Sequence, residues 1–339
     1  MTEGLVIGHQ WAVKLLQNGI RHDTLRHAYL FEGAAQVGKS TLARCFAQSL
    51  LCKESVDGQA CANCRACRLM QSGSHPDFIL LPPTDRNGQP DRENGLHRAE
   101  QAADIVRQAL LHPMEGRYKI FLIQDAHRAH VSFANKLLKT LEEPPPHVVL
   151  CLTAQDRSAL LPTIVSRCQV LALRPLGERM MEDALRARWG ASPQQAALLA
   201  RLANGCLGWG VEQIDQPEPL TERSERLAEL QELSRSSRVD RLAFAQKLAA
   251  ARNQTRLFTL LGLWTSWWRD VMLAQSGSLE QCANIDLLDT LAEAACDFRP
   301  GDVQAYLRTL SRIEGYLRHT VNTGLALDVL LLQMPRPYA

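Results

Sequence analysis

Five short apolar runs punctuate the first half of the chain, with stretches of helical periodicity between them. Residues 28–31, 78–81, 120–123, 148–152 and 170–173 are almost continuously apolar, and the first of them stops at Gly33. An unbroken apolar run, rather than strict alternation, is what a strand covered on both faces requires. Between the runs, residues 40–51 place Leu42, Cys45, Phe46 and Leu50 at helical spacing, and residues 99–111 and 131–141 repeat that period. A shorter helix is predicted over 158–165, and the polar, Gly- and Pro-containing stretch 87–95 reads as a loop. Strands alternating with helices predict an α/β domain built on a parallel sheet with helices on both faces.

The pattern changes near Pro175. From 178 to 214 only helices are predicted, one of them starting at Ser192-Pro193 with Ser as N-cap and Pro in the first turn. Asp215-Gln216-Pro217-Glu218-Pro219 reads as a linker, and the chain is again helical to about Met334, with one helix starting at Pro300 and Asp302. The expected organisation is an α/β domain over 1–174, a small helical domain over 175–215 and a larger all-α domain over 220–339. There is no internal repeat.

Composition narrows the classes. The chain has 339 residues, 46% of them hydrophobic and 22% charged, which excludes a largely disordered protein. A formal net charge of +2 argues against a dedicated basic nucleic-acid coat, while leaving room for a local basic face. Glu3, His9, Gln10 and Lys14 break any secretory apolar core, and the longest apolar run, 257–268, falls short of the ~20 residues a bilayer needs. No membrane association is expected, and the protein is expected to be soluble and cytoplasmic. Its ten cysteines then call for a reading other than disulfides. Six are scattered among apolar neighbours (Cys45, Cys151, Cys168, Cys206, Cys282 and Cys296), and most are expected to be small buried side chains.

Two motifs carry chemistry. Gly33-Ala34-Ala35-Gln36-Val37-Gly38-Lys39-Ser40 fits the phosphate-binding pattern G-x-x-x-x-G-K-[ST], with a strand before it and a helix after it. The glycines let backbone N–H groups wrap phosphate oxygens and the helix N-terminus adds positive potential. Lys39 can neutralise the β- and γ-phosphates, and Ser40 can ligate Mg²⁺. The candidate nucleotide-binding residues are Gly33, Gln36, Val37, Gly38, Lys39, Ser40 and Thr41, with Asp125 from a second strand end. The bland alternative is a chance match on a glycine turn. The strand 119–123 ends in Gln124-Asp125, where a hydrolytic site would place Asp-Glu. Gln124 cannot offset a metal's charge, and Asp125 in the base's place is one methylene short. Such a site is expected to bind ATP and hydrolyse it weakly or not at all; the alternative is that Asp125 moves in to serve the metal.

The second motif is Cys52-x8-Cys61-x2-Cys64-x2-Cys67. Four thiols at this spacing can close a tetrahedron around a structural Zn²⁺, with Asp57-Gly58 as the turn that returns the chain. Iron–sulfur ligation is the alternative. Arg167 in Ser166-Arg167-Cys168 is an ordinary surface group unless a partner presents phosphates to it. His127, His130 and His147 read as ordinary surface residues, or as residues supporting a site from behind, rather than as metal ligands. Trp264, Trp267 and Trp268 share one helix face, where a core stripe is favoured over base stacking.

The four-cysteine insertion in a phosphate-binding domain, followed by Leu137-Leu138-Lys139-Thr140-Leu141-Glu142-Glu143-Pro144-Pro145 and Ser166-Arg167-Cys168, resembles the bacterial sliding-clamp loaders of DNA polymerase III, within the AAA+ family. Val6-Ile7-Gly8-His9-Gln10, His27-Ala28-Tyr29-Leu30-Phe31 and Met114-Glu115-Gly116-Arg117-Tyr118-Lys119 look like the same family, with a further clue at Trp267-Trp268-Arg269-Asp270. The resemblance implies an AAA+ domain with a zinc module at 52–67, a helical lid and a helical collar. That family includes ATP-hydrolysing motors, gamma or tau, and a more rigid stator, delta-prime. Gln124-Asp125, and Gly208 where a motor carries its sensor-2 arginine, resemble the stator; Ala154 falls where a motor's sensor-1 threonine aligns, with Thr153 beside it. The intact phosphate loop is the feature shared with the motors, and an active motor subunit is the alternative. The resemblance implies gamma/tau and delta subunits, the sliding clamp and primer–template DNA as partners, Arg167 as a finger acting in trans on a neighbour's ATP, and Glu142 and Glu143 at the subunit interface. A zinc-dependent DNA-binding protein is a third reading, weakened because residues 52–67 carry only Lys53, Arg65, Glu54 and Asp57 as charges.

Overall fold

The computed structural model describes residues 6–338 apart from 92, 93, 217, 252, 318 and 320. Pro217 of the expected linker and Arg92 and Glu93 of the expected loop thus lie outside the described residues. The chain divides into two compact units, one from the N-terminus to Ala184 together with Asn204–Trp209, the other Leu185–Ala203 together with Gly210–Ala339.

The first unit is built on five strands, β1 (Ala28–Glu32), β2 (Phe78–Leu81), β3 (Lys119–Ile123), β4 (Val148–Ala154) and β5 (Gln169–Ala172). They form one sheet in the order β2-β3-β4-β1-β5, every pair parallel. Six helices precede β5: α1 (Gln10–Arg21), α2 (Lys39–Leu51), α3 (Arg65–Gln71), α4 (Ala99–Ala109), α5 (Val131–Glu142) and α6 (Pro162–Val165). Alternate strand residues feed two cores. Tyr29 and Phe31 of β1 and Ile120 and Leu122 of β3 pack with Leu16 of α1 and Phe46 of α2. Leu30, Phe121, Ile123 and Leu150 pack on the other face with Ile105 of α4, Phe133 and Leu137 of α5 and Ile164 of α6. Burial on both faces is why these strands read as continuous apolar runs.

Helices α1 and α3 are additions to the elements that the periodicity predicts. The signal for α1 is present in the sequence, with Ala12 and Leu16 fully buried one turn apart. The seven residues of α3 are set instead by the cysteine cluster around them. The predicted helix 158–165 resolves into a 3-10 turn, Arg157–Ala159, and then α6, because Leu160 and Leu161 are extended before Pro162 restarts the helix.

The remaining helices are α7 (Glu178–Trp189), α8 (Pro193–Leu202), α9 (Leu207–Asp215), α10 (Glu218–Arg235), α11 (Arg238–Ala250), α12 (Gln254–Gln275), α13 (Leu288–Asp297), α14 (Pro300–Leu317) and α15 (Thr323–Leu332). Ser192 caps α8 by accepting the Gln195 N–H, as its sequence predicts. Trp264, Trp267 and Trp268 are at most 1% exposed and form the centre of the second unit's core, with Trp268 edge-on to Phe298 and Tyr306. They are packing residues, not a base-stacking platform. Asp270 is likewise structural, its buried carboxylate accepting the backbone and side-chain N–H groups of Asn284. Arg241 is buried, and its hydrogen bonds among the described residues go to backbone carbonyls. It donates to carbonyls of Leu233, Ser234, Met334 and Pro335, tying the end of α10 to the C-terminal segment.

Among the six scattered cysteines, Cys45, Cys151 and Cys282 are buried, Cys168 and Cys206 are half-buried, and Cys296 is exposed on α13. The expectation that most are buried holds for three of the six. Among the described residues no helix is long and apolar enough to cross a membrane.

Candidate functional site

The sheet brings three strand ends together at its C-terminal edge, where parallel α/β sheets bind ligands. The phosphate loop leaves β1, Gln124-Asp125 leaves β3, and Thr153 lies near the end of β4. Within the loop, Gly33 (φ +148°), Gln36 (φ +58°) and Gly38 (φ +104°) adopt left-handed backbone conformations. A Cβ at Gly33 would stand 2.4 Å from the Leu173 carbonyl oxygen, so only glycine fits there. Ala34, Ala35 and Gln36 leave the loop backbone open to a ligand, while Val37 anchors it in the core.

Lys39 is 7% exposed, and its ammonium donates to the carbonyls of Gly33 (2.8 Å) and Ala34 (2.6 Å). Two of its three N–H donors are spent on the loop, which holds the side chain across it and leaves one for a phosphate. Burial pushes the Lys39 pKa down, and Asp125 opposes that shift. Thr41 is exposed on the first turn of α2. The Gln36 carbonyl accepts from the Gly208 N–H (3.0 Å) and the Val37 carbonyl pairs with His9 Nε2 (3.1 Å), fixing the loop's shape.

At the facing strand end, the Gln124 amide donates to Ser40 Oγ at 3.0 Å. The Gln124 carbonyl is bonded at 2.6 Å to Nε2 of the fully buried His97, whose pKa burial pushes down. Asp125 is left-handed (φ +49°) and donates its N–H to Thr153 Oγ1 at 2.9 Å. Three further residues shape this site, of which the sequence analysis missed only His97. Thr153, rather than Ala154, presents a hydroxyl to it. His97 fixes the turn. Gly208 is required for space as well as for lacking a side chain's charge, because a Cβ there would stand 2.9 Å from the Gln36 carbonyl. Strand alternation could have distinguished Thr153 from Ala154; nothing in the sequence marks His97.

The four cysteines converge at the end of α2. Cys52 is the C-cap of α2, and Val56–Gln59 close a two-residue hairpin whose central residues, Asp57 (φ +53°) and Gly58 (φ +72°), are both left-handed. Cys64 then caps α3. The four sulfurs lie within 4.8 Å of one another, with Cys52–Cys61 at 3.6 Å, Cys52–Cys64 at 3.8 Å and Cys61–Cys67 at 4.0 Å. A tetrahedron with metal–sulfur bonds of about 2.3 Å has sulfur–sulfur edges of about 3.8 Å, so the set fits a Cys₄ zinc centre. Backbone N–H groups of Cys61, Cys64 and Cys67 point at the sulfurs of Cys52, Cys61 and Cys64 at 3.3–3.5 Å, which favours thiolates. Four protein ligands leave no open position, and the arrangement is structural in type.

Beside this module, buried Asp77 accepts N–H groups of Met114 (2.6 Å), Glu115 (2.8 Å) and Gly116 (2.8 Å). The segment 114–119, singled out by the sequence, therefore begins as a loop gathered on one carboxylate, and Arg65 of α3 reaches Glu115 from the cysteine side. Burial alone raises the Asp77 pKa, but the three N–H bonds outweigh it and hold the carboxyl below its usual range. Asp77→Asn should turn an amide NH₂ toward three donors and cost about 3 kcal/mol, read as a lower denaturation midpoint of the first unit. Because the folded pKa is depressed, the stabilisation by Asp77 is fully present above the unfolded value of about 3.9 and is lost as pH falls through the folded value. The gap in denaturation midpoint between wild type and Asp77→Asn should therefore shrink below about pH 4.

Arg167 lies just after α6. Its guanidinium meets Glu142 Oε1 at 2.8 Å and donates to the Thr163 carbonyl at 2.9 Å. The side chain keeps 34% of its surface exposed.

Comparison with known proteins decides the family. The family model described as DNA polymerase III, delta subunit, matches residues 8–177, and that of its C-terminal part matches residues 217–335. The chain belongs to the DNA polymerase III delta subunit family. Within it, the chain is 29% identical over 325 residues to DNA polymerase III subunit delta' of Bacillus subtilis (strain 168), covering 95% of this chain and 94% of that one. It is 39% identical over 142 residues to subunit delta' of Pseudomonas aeruginosa, covering 42% of this chain and 41% of that one. It is also 33% identical over 216 residues to subunit tau of Escherichia coli (strain K12), covering 62% of this chain but only 32% of tau. End-to-end similarity within the family thus runs to a delta' subunit, and similarity to tau is confined to part of each chain.

Proposed function

We propose that this chain is the delta-prime stator of a bacterial clamp loader, helping to place the sliding clamp on primed DNA during replication. The observation that carries the reading is the end-to-end similarity to a delta' subunit, joined to a β3 strand end where Gln124 replaces an acid. Gamma/tau and delta subunits are its partners in a complex that acts on the clamp and on primer–template DNA. In this reading the phosphate loop, Gly33 to Thr41, holds ATP or ADP without turning it over. The Cys52, Cys61, Cys64 and Cys67 set holds a resident structural zinc. Residues 175–215 act as the lid and 220–339 as the collar that joins the subunits. Arg167 serves the ATP of an adjacent motor subunit.

The test is reconstitution. Tau/gamma and delta subunits from one organism, with and without this chain, are assayed for transfer of the sliding clamp to primed circular DNA. Loading should depend on the chain. Loading at the same rate in its absence overturns the assignment. ATP hydrolysis by the purified chain alone, at a rate matching isolated motor subunits and lost in Lys39→Ala, would favour the motor reading instead.

A further inference from the structure

A divalent cation at a phosphate loop is held by the loop's Ser or Thr hydroxyl and by an acidic strand end nearby. Here the hydroxyl is already engaged. The Gln124 amide N–H points at Ser40 Oγ from 3.0 Å, so a cation on that oxygen would face the positive end of the amide dipole. Mg²⁺ needs an octahedron of oxygens at about 2.0–2.1 Å and gives up its water reluctantly, so a donor N–H beside the oxygen opposes it both by charge and by space.

The surrounding structure holds Gln124 in place. Its N–H donates to the Leu81 carbonyl (2.9 Å) and its carbonyl is bonded to His97 Nε2 (2.6 Å). The backbone of the adjacent Asp125 is fixed as well, by Thr153 Oγ1 on its N–H and by the Arg128 N–H on its carbonyl (2.8 Å). With an amide in place of an acid at Gln124 and its N–H on Ser40 Oγ, this pair does not fit a divalent cation. What remains for phosphate is the exposed loop backbone, the third N–H of Lys39 and the first turn of α2.

We propose that this phosphate loop binds its nucleotide without a divalent cation, the Gln124 amide taking the place of the metal at Ser40. The inference rests on the reading of the loop as a nucleotide site and adds how the charge there is balanced. It also accounts for a silent site that keeps an intact loop, since a nucleotide held without metal lacks the charge neutralisation that phosphoryl transfer requires.

The experiment uses the full chain and titrates fluorescent ATP and ADP with about 5 mM Mg²⁺ or in buffer freed of divalent ions by chelating resin, so that zinc is not stripped by a soluble chelator. Wild-type affinity should agree within about threefold in the two buffers, and Lys39→Ala should lose binding in both. Gln124→Asp should make binding metal-dependent, tighter in Mg²⁺ by about tenfold or more. Wild-type binding that weakens about tenfold on removing Mg²⁺ overturns the inference and leaves the nucleotide reading intact. No binding in either buffer overturns both.

Discussion

Arg167→Ala should lower ATP turnover at the adjacent motor site by about a thousandfold in the reconstituted, DNA-stimulated complex, the lower end of what a finger in trans contributes. The reason lies in how the side chain is held. Arg167 follows a single helical turn, α6, and precedes β5, whose pairing with β1 fixes the chain direction. One arm of the fork meets Glu142 and the other donates to the Thr163 carbonyl, so the guanidinium is oriented before any partner arrives. An ion pair this exposed is worth about 0–1 kcal/mol, which a neighbour's phosphate exceeds readily. On the proposed reading, Glu142 orients Arg167 and gives it up to a neighbour's phosphate at small cost. Three variants separate these roles. Arg167→Lys keeps the charge but loses the planar fork and should recover only a small part of the rate. Glu142→Ala should change turnover by no more than about threefold, since the pair is weak. Both should leave nucleotide binding by this chain itself unchanged. Turnover that is equal in wild type and Arg167→Ala would place some other residue, or another subunit, at the motor's site.

The parts of this molecule that the sequence made legible are those in which one residue's neighbours in the chain are also its neighbours in space. The strand runs were readable because both faces of the sheet are covered. The phosphate loop and the cysteine cluster were readable because each closes within a few residues, the latter around the Asp57-Gly58 turn. The site's remaining members come from distant segments, and no local pattern announces them. His97 reaches Gln124 across 27 positions, and Gln124 reaches Ser40 across 84. Thr153 and Ala154 are adjacent and point to opposite faces of β4; alternation separates the two, and it is the fold that brings Thr153 Oγ1 to the turn after β3. Gly208 illustrates the same limit. From sequence it is an absent arginine, whereas in the fold it is a close approach of α9 to the loop that a larger residue would prevent. Asp77 gives no local sign of its three donors, which come from 37 to 39 positions further on.

Loss of the proposed zinc from the cysteine module should cost the first unit more stability than any other single change. Apparent binding energies of structural zinc in small Cys-rich modules are on the order of 10–16 kcal/mol, and that energy is also folding energy. In this chain the module has almost no core of its own. Its apolar cluster is buried Cys52, Ala60 and Cys67, with Cys61 and Cys64 packed against them. The hairpin at Val56–Gln59 has two backbone hydrogen bonds, and α3 is seven residues long, too short to persist alone. Without metal, only weak thiol contacts would hold the four sulfurs within 4.8 Å of one another. The purified chain should therefore carry one zinc per molecule by elemental analysis, and Cys64→Ser should lose it. The loss should abolish hydrogen-exchange protection across 52–74, while the sheet, whose two cores lie largely outside the module, keeps its own. Cys296→Ser is the control, since that thiol is exposed on α13 and should leave zinc content and protection unchanged. A wild-type chain that holds no zinc, with module thiols as reactive as Cys296 and exchange protection equal to that of Cys64→Ser, would reduce the cluster to four reduced cysteines that happen to meet.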